Sequence, residues 1–537
     1  MENNFKRFGT MIDCSRNAVM NVDTVKNWID LTADLGYNTF LLYIEDTYEI
    51  KSQPYFGHLR GRYSEAELKE IDNYAAQKNT EFIPCIQTLA HLNAIFHWKE
   101  FADVRDLHDT LLVGDQKVYG MIDDMFKSIK NSIRGNIVHI GMDKAGTIGR
   151  GRYLDINGYT KKYDILKNHL AKVSQIAEKY GLTLVMWGDM FARCLGDENE
   201  YYDNDLKIPD YVKNDIPDNV YINYWDYYHF ESSHYDKQIK IHNAIKDNSW
   251  FAGGLWTWVG FVPRNSYSIT ATKAAFKACR DNNVQNVFLT LWGDDGAECS
   301  KYAVLPSLYY SAQLAKGIED EEKIKAGFKE KYGIGFDDFM LLDIPGSITA
   351  KGEIPRTPDK YFLYCDCFMG QFDYTVKENG ANIYAETAGK LEKLEGTKDY
   401  GYLFSTISKL CSVIAVKYGI GVKTRELYLK QDKEGLKALL ADYDRLILLV
   451  DRLYEAVRYQ WMKENKPQGF EVLDIRFGGL SQRIKHCKKR ISDYISGDID
   501  KIEELNEPVL NYVGSKDTDT ESVFACRWNS IVTANNI

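Results

Sequence analysis

Residues 137–155 read IVHIGMDKAGTIGRGRYLD. The opening six, Ile137 to Met142, form a short apolar run of strand type that delivers Asp143 and Lys144 at its C-terminal end. A carboxylate beside an amine at such a place is either a reaction centre or an ion pair, and the surrounding chain decides between the two.

Outward from this stretch, runs of the same kind alternate with helical patterns. The further strand candidates are Phe8 to Asp13, Thr39 to Ile44, Phe82 to Gln87, Thr183 to Trp187, Val220 to Trp225, Trp250 to Trp256 and Val287 to Trp292. Helical spacing of apolar residues marks Val22 to Leu35, Tyr119 to Ile133, Tyr159 to Tyr180 and Ser266 to Asp281, and Ser64 to Glu67 is an S-x-x-E capping box that opens Glu65 to Lys78. Strand and helix alternating eight times predict an α/β fold, a (β/α)8 TIM barrel rather than a doubly wound sheet. The last barrel helix is predicted at Val304 to Lys316, after which the alternation stops. Residues 1–320 are therefore read as the barrel and 321–537 as a mainly helical C-terminal domain. In the latter, Glu434 to Lys463 and Phe470 to Ile495 are long amphipathic helices, and Leu436, Leu440, Tyr443, Ile447 and Val450 make an apolar stripe.

Bulk properties narrow the function. A net charge of -10 argues against nucleic acid and against an anionic membrane, both of which call for a basic face. No apolar leader opens the chain and no run reaches the ~18 uncharged apolar residues of a membrane span, so a soluble protein is expected. The ten cysteines fall into neither C-x-x-C nor Cys/His ligand spacing, which points to reduced thiols in the cytoplasm and to no bound metal. Gly146, Gly149 and Gly151 have the order G-x-x-G-x-G, wrong for a dinucleotide loop, and no cofactor is expected.

Active residues of a parallel barrel stand at the C-terminal ends of its strands. Here those ends carry Asp13 with Arg16, Glu45-Asp46, Gln87 and His91, Asp143-Lys144, Trp187 and Asp189, Tyr224-Trp225-Asp226, Trp256 and Trp258, and Trp292 with Asp294. Taken singly, each also fits packing or a rim ion pair. Their coincidence describes a pocket for a small neutral polyhydroxylated ligand, with carboxylates and Arg for hydroxyls and indole faces for a sugar ring.

The segments MIDCSRNAV (11–19), PYFGHLRGRY (54–63), PCIQTLAHLN (84–93), HIGMDKA (139–145) with GRGRYLD (149–155), and TLWGDDG (290–296) resemble the family 20 glycoside hydrolases, in particular their compact cytoplasmic branch of β-N-acetylhexosaminidases. The resemblance covers residues 5 to about 310 and extends more weakly into the helical tail. It implies a substrate-assisted retaining mechanism, in which the sugar's own 2-acetamido oxygen attacks C1 to give an oxazolinium. By that resemblance Asp143 orients the acetamido N–H and Tyr224 holds its carbonyl. Trp187, Trp256 and Trp292 wall the pocket, Arg16, Asp226 and Asp294 bind ring hydroxyls, and His91 with Asp46 forms a supporting pair. Stripes on the helical tail could serve a homodimer, a state common in that branch.

Two positions depart from the pattern. The family's general acid is a Glu where this chain has Lys144, and its usual His is Gly146. An ammonium of reference pKa ~10.4 is a poor acid near neutrality, and a lost general acid typically costs ~10²- to 10⁴-fold in rate. Several readings stay open: an altered glycosidase favouring thio, aryl or anionic aglycones, transfer to a nucleophile such as phosphate, a non-hydrolytic N-acetylhexosamine-binding protein, or a structural barrel.

Overall fold

The computed structural model describes residues 4–196, 200–347, 355–514 and 523–537. Eight parallel strands close a barrel in sequence order: β1 Arg7–Asp13, β2 Thr39–Glu45, β3 Glu81–Ile86, β4 Ile137–His139, β5 Thr183–Trp187, β6 Val220–Trp225, β7 Trp250–Gly254 and β8 Asn286–Leu291. Closure is direct, β1 pairing β8 from Arg7↔Asn286 to Ile12↔Leu291. Nearly every strand residue is buried, as expected for parallel strands covered by helices outside and by side chains within.

The helices form where local chemistry favours them. Asn21 caps Val22–Leu35 by accepting from the Thr24 N–H, and Gly36 ends that helix in the left-handed conformation. Ser64 and Glu67 complete the predicted capping box at Glu65–Gln77.

β4 is shorter than its apolar run. It ends at His139 because Gly141, Met142 and Lys144 all adopt positive φ, at 67°, 67° and 56°, and turn the chain out of the ladder. A side chain at position 141 would collide with the Gln87 amide at 2.1 Å, so glycine is required there. β7 and β8 likewise stop short, at Gly254 and Leu291.

Two compact units make up the chain. The first comprises Met1–Leu255, Ser268–Leu291 and Leu308–Glu319, and the second Trp256–Tyr267, Trp292–Ser307 and Asp320–Ile537. Within the second, Lys433–Glu464 and Glu471–Ser496 are the longest helices. The buried seam of Lys433–Glu464 runs through Leu436, Leu439, Tyr443, Leu446, Val450, Leu453 and Val457. This corrects the predicted stripe: the 3–4 alternation of a coiled-coil seam selects Leu439 and Leu446, while Leu440 and Ile447 are only half-buried.

Beside these helices, residues 401–429 include an apolar window, interrupted by Lys409 and Lys417, 67% of which is buried inside the protein. They form two helices, Gly401–Lys417 and Ile420–Leu429. A buried charge network also anchors the second unit. Arg476 and Lys360 each pair with both Asp295 and Glu298.

Candidate active site

Asp143 leaves β4 on the left-handed loop just described, and its carboxylate is held from both sides. The Gln87 amide accepts the Met142 N–H at 3.1 Å and donates to Asp143 Oδ1 at 2.9 Å, so one side chain positions both the loop and its acid. His91 Nε2 lies 3.1 Å from Asp143 Oδ2, and its Nδ1 is 3.7 Å from Glu45 Oε1. Glu45 also accepts the Tyr43 hydroxyl at 2.9 Å and meets Arg16 at 3.3 Å, and Arg16 continues to Asp13 at 3.2 Å. The result is a continuous chain of alternating charge, Asp143–His91–Glu45–Arg16–Asp13. Its main-chain strain is concentrated at the same point: Glu45, His91, Met142 and Lys144 are non-glycine residues with φ of 36°, 58°, 67° and 56°. Clustered outliers of this kind mark sites whose geometry the surrounding structure enforces.

Electrostatics follow the geometry. Burial alone would push the Asp143 carboxyl up, but the His91 imidazole, the Lys144 ammonium and the Gln87 amide outweigh it and hold Asp143 well below the usual carboxylate range. For Glu45 burial wins over Arg16 and His91, and the carboxyl is raised. Burial would lower His91, with Arg16 acting in the same sense, yet Asp143 and Glu45 together hold it above its ordinary 6.5. A raised imidazole contributes stability fully below its unfolded-state value and loses it as pH climbs through the folded-state value. The depressed Asp143 contributes above the ordinary carboxyl range and loses it on acidification. The gap in melting temperature between wild type and His91→Gln is therefore expected to be widest near pH ~6 and to narrow by pH ~9. A gap independent of pH across that range would contradict an ionised pair.

Lys144 is exposed and turns its ammonium onto the face of Trp225, 4.7 Å from the ring centroid. Trp225 is stacked on Tyr227 at 5.2 Å and lies 4.8 Å from Tyr201, forming an aromatic wall. Asp189, fully buried, is raised by burial, with Asp143 acting in the same sense against Lys144 and Arg193.

One sequence assignment is corrected. His91 pairs with Asp143 and Glu45 and not with Asp46, whose buried carboxylate takes Arg60 at 3.2 Å. Glu45 thus takes the place beside His91 assigned to Asp46, and a register shift between Tyr43 and Glu45 at the end of β2 explains its aim. Tyr224 is fully buried and faces the helix Ser232–Ile245, its ring 4.6 Å from His242. Its hydroxyl donates to Asp226 at 2.7 Å. Asp226, also buried, accepts from Tyr224 and lies against the imidazoles of His229 and His234. Trp187 stands inside the barrel, 4.4 Å from His139 and 6.1 Å from Phe288. Burial pulls His139 down to about 3, so it is a neutral packing partner at physiological pH.

Trp256, Trp292 and Asp294 follow β7 and β8 directly and belong to the second unit. There Trp256 stacks on Trp258 at 4.3 Å, the Trp292 carbonyl accepts Lys301 Nζ at 2.6 Å, and Asp294 is exposed with φ of 20°. No disulfide links any of the ten cysteines.

This fold and site define a class, a (β/α)8 barrel with a carboxylate-centred site at the C-terminal ends of its strands. The chain belongs to glycosyl hydrolase family 20: residues 5–286 match that family's catalytic domain, and residues 337–524 match the glycoside hydrolase 20C C-terminal domain. Among characterised relatives, hexosaminidase D of Bos taurus is 28% identical over 170 residues, which is 29% of this chain and 48% of that protein. Hexosaminidase D of Homo sapiens is 28% identical over 170 residues and 34% of its length. The chain thus spans half or less of the length of these relatives. Solved structures with a similar fold include an exo-β-N-acetylglucosaminidase from Vibrio harveyi in complex with N-acetylglucosamine, at 15% identity and TM-score 0.47 over 64% of this chain and 59% of that one. A β-N-acetylhexosaminidase from Bacteroides fragilis aligns at 18% identity and TM-score 0.47 over 63% and 72%.

Proposed function

We propose that the protein is an exo-acting β-N-acetylhexosaminidase that removes terminal β-linked N-acetylglucosamine or N-acetylgalactosamine by substrate-assisted retention. The observation that carries the reading is Asp143, ionised and fixed by Gln87 and His91 at the end of β4. Each of its oxygens keeps a lone pair beyond the one those donors occupy, enough to accept an acetamido N–H. As the acetamide oxygen closes on C1 its nitrogen becomes cationic, and a preorganised anion stabilises that charge more than it stabilises the ground state. Water then opens the oxazolinium from the face the aglycone has left, and two inversions give retention.

Lys144 replaces the acid, so the favoured aglycones leave with little protonation: thiolates, activated phenols or anions. Its exposed ammonium beside Trp225 also supports an anionic leaving group, or phosphate as the acceptor. The net charge of -10 supports a carbohydrate rather than nucleic-acid substrate, and ten cysteines without a disulfide support a reducing, cytoplasmic setting.

The test is a leaving-group series of aryl, thioaryl and alkyl β-N-acetylglucosaminides, with and without inorganic phosphate. The expected result is a steep fall in kcat as aglycone pKa rises, with alkyl glycosides barely turned over. Equal rates across the series would remove the Lys144 argument. Tight binding of an oxazoline mimic without turnover of any glycoside would establish a binding protein instead.

A further inference from the structure

At the end of the barrel opposite Asp143, the strand starts enclose a cavity of about 440 Å³. Arg7 opens β1, Trp250 opens β7, Asn286 opens β8, and Tyr221 is the second residue of β6. All four line the cavity, together with Lys6, which precedes β1. Arg7 and Asp13 stand at the two ends of β1, about 20 Å apart at ~3.3 Å per residue, so the cavity is distinct from the charge chain around Asp143. The N-terminal end of such a barrel usually serves stability alone. We infer that this floor cavity binds a monosaccharide carrying one anionic group.

The lining holds donors that the protein itself leaves unused. Arg7 is already engaged: Nε and Nη2 meet the two oxygens of Glu81 at 2.5 and 3.2 Å, and Nη1 donates to Asn286 Oδ1 at 3.2 Å. That last bond fixes the Asn286 amide with its oxygen toward Arg7, and its Nδ2 donors are directed elsewhere. Asn286 is 9% exposed and Trp250 3%, and among the described residues neither Asn286 Nδ2 nor the Trp250 indole N–H has an acceptor. Donors in so enclosed a place are satisfied by whatever fills the cavity. The Lys6 ammonium and the Tyr221 hydroxyl are likewise without a partner among the described residues.

Charge and size select the ligand. No acidic residue lines the cavity, although the chain as a whole carries a net charge of -10, and its cations and N–H donors therefore favour an anion. A bare inorganic anion would leave most of the space unfilled, whereas the volume falls in the range of small-molecule sites. The amides of Asn286 and Asn248, which also lines the cavity, both donate and accept, as the hydroxyls of a sugar do. Lys6 and Asn248 are exposed while Trp250 and Asn286 are buried, which gives the ligand a route in from solvent. The site does not depend on the glycosidase reading.

The experiment is calorimetric titration of the full chain with glucose 6-phosphate, which lacks the 2-acetamido group that Asp143 is proposed to engage. Parallel titrations with glucuronate, glucose and inorganic phosphate separate the anionic group from the ring. One saturable sugar phosphate per chain is expected, with glucose and inorganic phosphate each about 10-fold weaker or worse, the worth of a hydrogen bond to a charged group. Tighter binding of glucuronate would support the site with a carboxylate as the anionic group. Lys6→Glu, at an exposed residue, should weaken binding by about 10-fold or more, Lys6→Arg should retain it, and Tyr221→Phe should cost about 2- to 10-fold. Lys127→Glu makes the same change of charge on the exposed side of the helix Gln116–Ser132 and should change nothing, as should Asp143→Asn. Inorganic phosphate binding as tightly as the sugar phosphate would overturn the sugar assignment. Absence of saturable binding of either anionic sugar to the wild type, or binding that survives both Lys6→Glu and Tyr221→Phe, overturns the site.

Discussion

Asp143→Asn is expected to lower kcat on an aryl β-N-acetylglucosaminide by about 10²- to 10³-fold, the usual cost of one preorganised electrostatic stabiliser. The substitution is nearly isosteric, and the amide oxygen can still accept from Gln87 at 2.9 Å. What disappears is the charge, and with it the attraction that keeps the developing oxazolinium close. KM should move much less, because the ground-state acetamide is neutral and gains little from the anion. Steady-state kinetics read this as a fall in kcat, and an equal rise in KM with kcat preserved would recast Asp143 as a binding residue. The variant also deprives His91 of a counter-ion: the imidazole then answers mainly to burial and Arg16, against Glu45 alone, and its pKa should fall. A titration of His91 by NMR would report that shift separately from turnover.

The barrel was legible from the alternation of strand and helix because both halves of the signal are strong. Parallel strands buried on both faces read as continuous apolar runs, and caps such as Ser64 with Glu67 announce helix starts locally. Strand ends were less so. β4 stops at His139 although its apolar run continues to Met142, because the left-handed turn that aims Asp143 is set by packing against Gln87 and not by hydropathy.

Within the site, Asp143, His91 and Arg16 were visible as strand-end polar residues, and the structure brings them into one chain of contacts through Glu45. Choosing between neighbours was harder, since one position along a strand reverses the face. The irregular end of β2 favours Glu45 over Asp46, and the pleat of β6 sends Tyr224 to the outer helix while Trp225 meets Lys144. Spacing could not disclose His229 and His234. Nothing in the sequence ties them to Asp226 until the turn after β6 folds them onto it. The seam at Leu439 and Leu446 shows the same limit in helices, where periods of 3.5 and 3.6 nominate adjacent apolar residues and tertiary packing decides.

Lys144→Glu is the second large effect, and it runs upward: alkyl β-N-acetylglucosaminides should be cleaved about 10²- to 10⁴-fold faster, the range a positioned general acid contributes. The backbone at this position is already left-handed, with φ of 56°, and a Glu adopts that conformation no less readily than a Lys. Its carboxyl would enter beside two others, since Asp143 and Asp189 both feel the charge at position 144. Like charges disfavour ionisation, so the new carboxyl should titrate above the ordinary range and hold its proton nearer neutrality, as a general acid must. Activated aryl and thio glycosides need no proton and should change little, which makes the ratio of alkyl to aryl rates the decisive readout. The same replacement removes a cation that favours the ionised form of Asp143, so the variant should melt at a lower temperature, most clearly at neutral pH where all three acids compete to ionise. A variant that folds, binds the sugar and still leaves alkyl glycosides untouched would show that the position opposite Trp225 no longer reaches the glycosidic oxygen. The loss of acid catalysis would then be built into the loop and not into one side chain.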